Sequence, residues 1–352
     1  MNQVTQIIPV TDDDAARMVR PETMADLAAR IVATPVDVSP ATRHRAPAER
    51  RARNVKRGLL AGIPLVGAAA AVVVLVATST PPTAAPTAAP TRSAPQAPAA
   101  TSKLMSLAAR IEAGDTGSLP GNASLQILDH ISGGKVWDVS WGLYTDSGDM
   151  YTGGDKQTLM TAVADHENEA DGADREVAAA RYAATGDLAT ARVRMIDTSP
   201  NDFFLSLAAR EKIWKAGAAA RQALARMKGI KTPPKMPTGQ ALQEQINNTL
   251  WSECTDALNW AGGDPKIRAG VLRLLSTIPE VAVADSTTGG QPTLTITAGP
   301  AVFGGVGDEV LAVNATTGLP VSIVSTTPGG PAAVETFQIS RVTLANIKAG
   351  KF

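Results

Sequence analysis

An uninterrupted apolar segment is the feature that most constrains this chain. Residues 58–77 read GLLAGIPLVGAAAAVVVLVA and include no charged or polar side chain. A helix rises about 1.5 Å per residue, so a segment of this length spans roughly 30 Å, the hydrocarbon thickness of a bilayer. Pro64 near one end is compatible with a membrane helix. The segment therefore predicts one transmembrane helix; a buried core helix is the weaker interpretation, because neither flank resembles a globular core.

The flanks of this segment predict its orientation. Lys and Arg are concentrated in residues 43–57, where only Glu49 opposes them, and no further Lys or Arg occurs until Arg92. The positive-inside rule then predicts a cell-membrane protein with a single pass, a cytoplasmic N-terminus and an extracytoplasmic C-terminal domain. A cleaved signal peptide is the alternative. A signal-anchor is favoured because the basic region before a signal peptide is normally short, and here 57 residues precede the apolar segment.

The charge balance excludes several classes of protein. The chain has 33 Lys and Arg residues against 33 Asp and Glu residues, so no direct nucleic-acid binding is expected. The Arg-rich segment 1–57 is basic and the remainder acidic, which indicates a topology signal that contacts lipid headgroups of the bilayer. One Cys and three His exclude an internal disulfide framework and a Cys-based zinc module.

A short helix is predicted within the cytoplasmic segment, over residues 22–32. Pro21 suits its first turn, and Met24, Leu27 and Ile31 form one apolar stripe. So short a helix is marginal by itself in water. It is either without a role or folds against a cytoplasmic partner, and in the second case these three residues are the candidate partner-binding site.

The remaining chain divides into a linker and a folded domain. Residues 78–103 are rich in Pro, Ala and Thr, which predicts a semi-extended spacer. Residues 104–352 are long enough to bury a sizeable core, as one domain or two lobes. Helical periodicity dominates up to about residue 280, and alternating apolar residues with Gly-containing turns follow. The pattern predicts an α+β ectodomain, a helical region followed by an antiparallel β meander.

The individual elements follow from these periods. A short helix is predicted over 104–112, and a strand over 135–143 is followed by a return strand at 149–151. Further helices are predicted at 156–169, 173–185, 187–195, 199–229 and 239–260, with another opening at Asp264-Pro265. The meander is predicted from strands near 281–283, 294–296, 309–313, 320–324 and 336–342.

Candidate chemistry is sparse. Cys254 lies on the apolar stripe of its helix and is interpreted as a buried structural thiol rather than a nucleophile. The polar run Asp165-His166-Glu167 lacks the spacing of known metal motifs and is interpreted as a solvated helix–helix corner, and His130 as a helix-end histidine. We therefore predict no catalytic residue, no metal ligand and no cofactor, and expect that the chain is not an enzyme.

Three stretches carry a resemblance to a known family. They are Met236-Pro237-Thr238 before a helix, the run RAGVLRLLSTIPEVAV over 268–283, and LAVNATTGLPV over 311–321, which looks like a strand–turn–strand hairpin. With the order of segments, they resemble a family of actinobacterial single-pass membrane proteins of unknown function, often encoded beside extracytoplasmic-function sigma factors. Similar hairpins occur in the half-barrel folds of lipoprotein carriers and envelope sensors.

The resemblance implies two functions. The first is a membrane-anchored envelope protein with a sensing or regulatory role, whose cytoplasmic segment contacts a sigma factor or another regulator. A zinc-dependent anti-sigma mechanism is not supported, because residues 1–57 contain His44 and no Cys. The alternative is an extracytoplasmic carrier or structural envelope protein that binds an apolar ligand and has no signalling role.

Overall fold

The computed structural model describes residues 98–114, 120–170, 172–227, 234–305, 307–328 and 330–352. The predicted cytoplasmic segment, with Met24, Leu27 and Ile31, lies outside these ranges, as do the predicted span and most of the predicted linker. Within these ranges, no helix is long and apolar enough to cross a bilayer. The described chain forms two compact units, a smaller one made of 200–227 and 234–246 and a larger one made of the other described residues.

The secondary structure combines helices with one sheet. The described helices are α1 (Pro98–Glu112), α2 (Lys156–Ala164), α3 (Ala173–Thr185), α4 (Leu188–Ile196), α5 (Leu207–Ala216), α6 (Ala218–Met227), α7 (Gly239–Ala261), α8 (Pro265–Leu275) and α9 (Leu344–Lys348). The described strands are β1 (Ala123–Ser132), β2 (Lys135–Thr145), β3 (Met150–Gly153), β4 (Val281–Thr288), β5 (Gln291–Ala298), β6 (Asp308–Asn314), β7 (Pro320–Thr326) and β8 (Ala333–Val342). The predicted α+β class and the antiparallel meander are confirmed.

All eight strands belong to one antiparallel sheet of order β3-β2-β1-β8-β7-β6-β5-β4. Two meanders, β1–β3 and β4–β8, are joined where the first strand pairs with the last. This pairing runs from Ala123 opposite Val342 to Ser132 opposite Ala333 without a register shift. The helices between β3 and β4 are thus an insertion between the two parts of a single sheet.

The two faces of the sheet are covered by different helices. On one face, Lys103 of α1 pairs with Asp285 of β4, and the indole of Trp251 on α7 donates to Glu309 of β6. On the other face, α2 and α9 cover only the β1–β3 end, in a small core with these members: Ala123, Leu125, Leu143, Tyr151, Leu159, Ala162, Val163 and Ile347. Alternate side chains of one strand point to opposite faces, so β1 contributes to both cores.

Helix α8 forms the centre of the helical layer. Its N-terminus is capped by Asp264, whose carboxylate accepts from the Lys266 amide, and Pro265 occupies the first turn. Four apolar residues at helical spacing form its inner side and are all buried: Ile267, Val271, Leu274 and Leu275. Gly270 lies where α8 approaches α3 most closely, because a Cβ there would overlap the carbonyl of Ala180.

The smaller unit is held by two arginines. The guanidinium of Arg210 is buried, donates to the Pro237 carbonyl at 2.9 Å and lies 3.9 Å from the Asp202 carboxylate. The Arg221 guanidinium stacks on the Trp214 ring at 3.7 Å and donates to the Trp214 carbonyl. Cation–π contact of this kind connects α5 with α6.

Several sequence-based assignments are corrected. His130 lies in strand β1, which was not predicted, so its assignment as a helix-end histidine is wrong. The helix predicted over 199–229 is two helices within the described residues, because Ser206 caps α5 and Gly217 ends it before α6. Helix α1 begins at Pro98, within the predicted linker, and α2 ends at Ala164 rather than near 169.

Replacing Gly270 with Ala is expected to destabilise the larger unit by about 1–3 kcal/mol, the usual cost of overpacking. The added methyl group would overlap the Ala180 backbone, and backbone cannot move aside as a flexible side chain does. The free energy of unfolding, measured by chemical denaturation of the full chain, tests this. Gly299→Ala is the control, because a Cβ at Gly299 meets nothing within 4 Å. A Gly270→Ala protein as stable as wild type would contradict this close approach of α8 to α3.

Candidate functional site

Two glutamates from different helices meet in the interior of the larger unit. Glu176 lies on α3, one residue before the buried Val177, and Glu253 lies on the part of α7 that is buried on most sides. The side chain of Glu253 is almost fully buried, and the Oε2 atom of Glu176 is inaccessible to solvent. Carboxyl groups are costly to bury unless they are paired or protonated. We call Glu176 and Glu253 the acid pair.

Hydroxyl groups from the end of α4 orient Glu253. Thr198 lies with its Oγ1 atom 2.8 Å from Glu253 Oε2, and the Ser199 hydroxyl donates to Oε1 at 2.7 Å. Thr198 directly follows the C-terminal cap residue of α4, and α4 itself begins at Asp187, which accepts from the Thr190 amide. The end of α4 therefore brings two hydroxyl groups to a carboxylate that would otherwise lose its hydration without replacement.

The acid pair holds a proton at neutral pH. The pKa of Glu176 is raised from 4.5 to about 10: burial is the largest cause, the negative charges of Asp256 and Glu253 and a hydrogen bond to Glu253 act in the same direction, and a hydrogen bond with Trp260 opposes them. Two carboxyl groups so close cannot both ionise without strong repulsion. Glu176 is thus a neutral acid that donates to Glu253, and its Oε2 atom has no hydrogen-bond partner.

A second polar network lies beside the acid pair. Arg192 donates to Thr277, both to its hydroxyl at 2.7 Å and to its carbonyl, and to Asn247 Oδ1. Asn247 donates in turn to Glu280 at 2.8 Å. Burial lowers the pKa of Arg192 from its ordinary value. The network connects α4, α7 and the segment before β4, so its role is to fix the positions of these three elements.

Cys254 is fully buried, as predicted for a structural thiol. Burial raises the pKa of its thiol well above the ordinary value, and the neighbouring Glu253 adds to the shift. Since the thiolate is the reactive form of cysteine, a thiol that keeps its proton and has no access to solvent is a poor nucleophile.

A small cleft opens between β7, β8 and the turn after β6. Its volume is about 240 Å³, and its apolar wall consists of Leu319, Val321, Phe337 and Ile339. A polar rim is formed where Asn314 donates to Gln291 at 2.6 Å. Pockets for small molecules usually enclose about 300–1,000 Å³, so this cleft suits an acyl or side-chain fragment better than a whole ligand.

The polar run after α2 lies at the surface. Asp165, His166 and Glu167 are exposed, in agreement with the predicted solvated corner. The following residues attach this corner to the sheet, since Asn168 accepts from the Met150 amide and Glu169 accepts from the Thr152 hydroxyl. Across the described part of the chain, no group of three or more His, Cys, Asp or Glu side chains has a geometry that could hold a metal ion.

No family model, no curated protein and no solved structure matches this chain. The acid pair therefore has to be interpreted from its geometry alone. Sequence reasoning missed it, because each glutamate belongs to an otherwise ordinary helix and their proximity depends on how α3 and α7 pack.

Replacing Glu176 with Gln should change how stability depends on pH. A raised folded-state pKa contributes stability that is fully present below pH 4.5 and is lost as pH rises toward about 10, because ionisation is resisted only in the folded state. The glutamine cannot ionise, so the variant should gain in Tm relative to wild type as pH increases from 5 to 9.

Thermal unfolding of the full chain across this pH range gives the measurement. The matched control is Glu112→Gln, which alters an exposed glutamate at the end of α1. A constant Tm difference between Glu176→Gln and wild type at every pH would show that Glu176 does not hold its proton in the folded state.

Proposed function

We propose that this chain is a single-pass membrane protein whose C-terminal α+β domain lies outside the cytoplasm and senses or binds a component of the envelope. The cytoplasmic segment would contact a sigma factor or another regulator through Met24, Leu27 and Ile31. The observation that carries this proposal is the order of segments: Arg-rich, uncharged and apolar, Pro-rich, then folded.

The folded domain supports a binding role rather than a catalytic one. Both carboxylate oxygens of Glu253 are engaged by the hydroxyls of Thr198 and Ser199, and the Cys254 thiol is buried and keeps its proton. Neither group is placed to attack a substrate. We therefore propose that the protein is not an enzyme and that its activity needs no cofactor.

The second candidate function is that of an extracytoplasmic carrier. The observation that favours it is the cleft with the apolar wall of Leu319, Val321, Phe337 and Ile339, next to an antiparallel sheet that a half-barrel would also require. In this version the N-terminal segment has only a topological role. The two candidates differ in whether residues 1–57 bind a regulator.

The proposed topology can be tested with reporter fusions in the linker. A reporter that is active only outside the cytoplasm should be active when fused after residue 90 and inactive when fused after residue 40, because the apolar span lies between these positions. A reporter that works only in the cytoplasm should give the reverse pattern. Cytoplasmic activity of the fusion after residue 90 would overturn the orientation.

The regulatory role can be tested in a two-hybrid assay with residues 1–57 and a sigma factor encoded beside the gene. Binding is expected, and Leu27→Asp should abolish it because it places a charge in the apolar stripe. Ala29→Asp is the control, since position 29 lies on the opposite face of the predicted helix. No binding by the wild-type segment, or equal loss in both variants, would favour the carrier function.

A further inference from the structure

Three loops lie together at one end of the sheet. The pairing of Ser132 with both Lys135 and Ala333 places the β1–β2 turn beside the β7–β8 loop. The pairing of Asp308 with Thr326 places the β5–β6 loop at the same end. We call this the hairpin end, defined by residues 132–137, 299–305, 307, 327–328 and 330–332.

The three segments of the hairpin end are almost free of charge, and the fourth connection at this end, residues 276–280 before β4, carries one carboxylate, Glu280, which accepts from Asn247. Residues 299–307 read GPAVFGGVG and residues 327–332 read TPGGPA, so Lys135 is the one charged residue in the three segments. The opposite end of the sheet is different, because its β2–β3 turn carries Asp146 and Asp149. The two ends of one sheet therefore present different chemistry to their surroundings.

Two large apolar side chains are exposed at the hairpin end. Val136 and Trp137 each keep 55% of their surface accessible. The register of the β1–β2 pair shifts between His130 and Ile131, which leaves Trp137 as the additional residue of a β-bulge. Bulges commonly redirect side chains, and here the Trp137 ring is directed outward while packing against the ring of His130 at 5.4 Å.

The chain enters the larger unit from this same end. Helix α1 has its C-terminal turn beside the β6–β7 turn, since Arg110 donates to the Ala315 carbonyl at 3.0 Å. Its middle pairs with the middle of β4 through Lys103 and Asp285 at 2.5 Å. The β6–β7 turn lies at the opposite end of the sheet from the hairpin end, so α1 runs away from the hairpin end and its first residue, Pro98, lies on the hairpin side.

We propose that the hairpin end contacts the outer surface of the bilayer that holds the chain, with Trp137 and Val136 in the lipid headgroup region. This inference rests on the membrane anchoring proposed above. Residues 78–97 connect the predicted span to α1, and at about 3.1 Å per residue they reach at most roughly 60 Å. The domain is thereby confined close to the membrane with its hairpin end on the side of the linker.

The chemistry of the hairpin end fits a lipid interface. Tryptophan is enriched at the boundary between headgroups and acyl chains, because its ring is apolar and its N–H group can still be hydrated. A lysine beside it, Lys135, can extend toward anionic headgroups. The three segments carry no carboxylate, so only Glu280 in the neighbouring connection would be repelled by an anionic surface.

The test uses the full chain reconstituted into vesicles of phosphatidylcholine and phosphatidylglycerol, some with brominated acyl chains that quench nearby tryptophans. Brominated lipid should reduce the emission of the wild-type chain, and Trp137→Phe should remove most of that reduction. Trp141→Phe is the matched control, because Trp141 lies on the same strand but packs against Phe352 instead of facing outward. Quenching of the Trp141→Phe variant should stay at the wild-type level.

Alkaline extraction of the same vesicles separates the two proposals. Retention of the chain in the membrane, with quenching that is equal in wild type and Trp137→Phe, overturns the hairpin contact and leaves the anchor intact. Release of the chain into the supernatant overturns the anchor, and the contact then stands only if Trp137-dependent quenching persists on addition of the chain to preformed vesicles. Quenching lost equally in both Trp variants also overturns the contact.

Discussion

The pairing between β1 and β8 is the contact on which the larger unit depends. It joins ten residues of the first strand to ten of the last, across an intervening segment that contains most of the helices. Without it, β1–β3 and β4–β8 would be two short sheets, each with an additional unpaired edge. Because these partners are far apart in sequence, the pairing costs chain entropy that many contacts must recover together.

Strand β1 also explains where sequence-based prediction stops. Ala123 and Leu125 are buried under α2 and α9, whereas Ser124 and Gln126 are buried on the other face. Apolar and polar residues alternate over residues 123–127, but Leu128 breaks the pattern after five residues, and the polar members of the run are buried instead of facing solvent, so the pattern is too short and too unlike a half-buried strand to identify β1. The later meander was predictable because strands such as β5 alternate Leu294 and Ile296 with threonines.

In the helical layer too, features set by local sequence could be predicted, whereas features set by the packing of distant segments could not. Helix α8 could be predicted closely, because Asp264-Pro265 marks its start and its apolar residues follow one stripe. Local signals failed around residues 200–229, where Ser206 and Gly217 interrupt a continuous helical pattern. The acid pair could not be predicted at all: Glu176 and Glu253 each look like solvent-facing residues until the packing of α3 against α7 is known. A buried polar pair forms only where two helices pack together, whereas the amphipathic pattern in the sequence describes each helix separately.

The register of the strands also decides which loops share one end of the larger unit. The Gly- and Pro-rich loops 299–307 and 327–332 are recognisable as turns in the sequence, but their positions in the chain do not reveal that they share one end of the sheet. Antiparallel pairing decides this, because each successive loop alternates between the two ends. The direction of α1 is then fixed by contacts at its middle and its C-terminal turn, through Lys103 and Arg110. Strand register places the three loop segments at one end of the sheet, and the direction of α1 places the incoming chain on the same side. These two independent constraints together orient the domain relative to its linker.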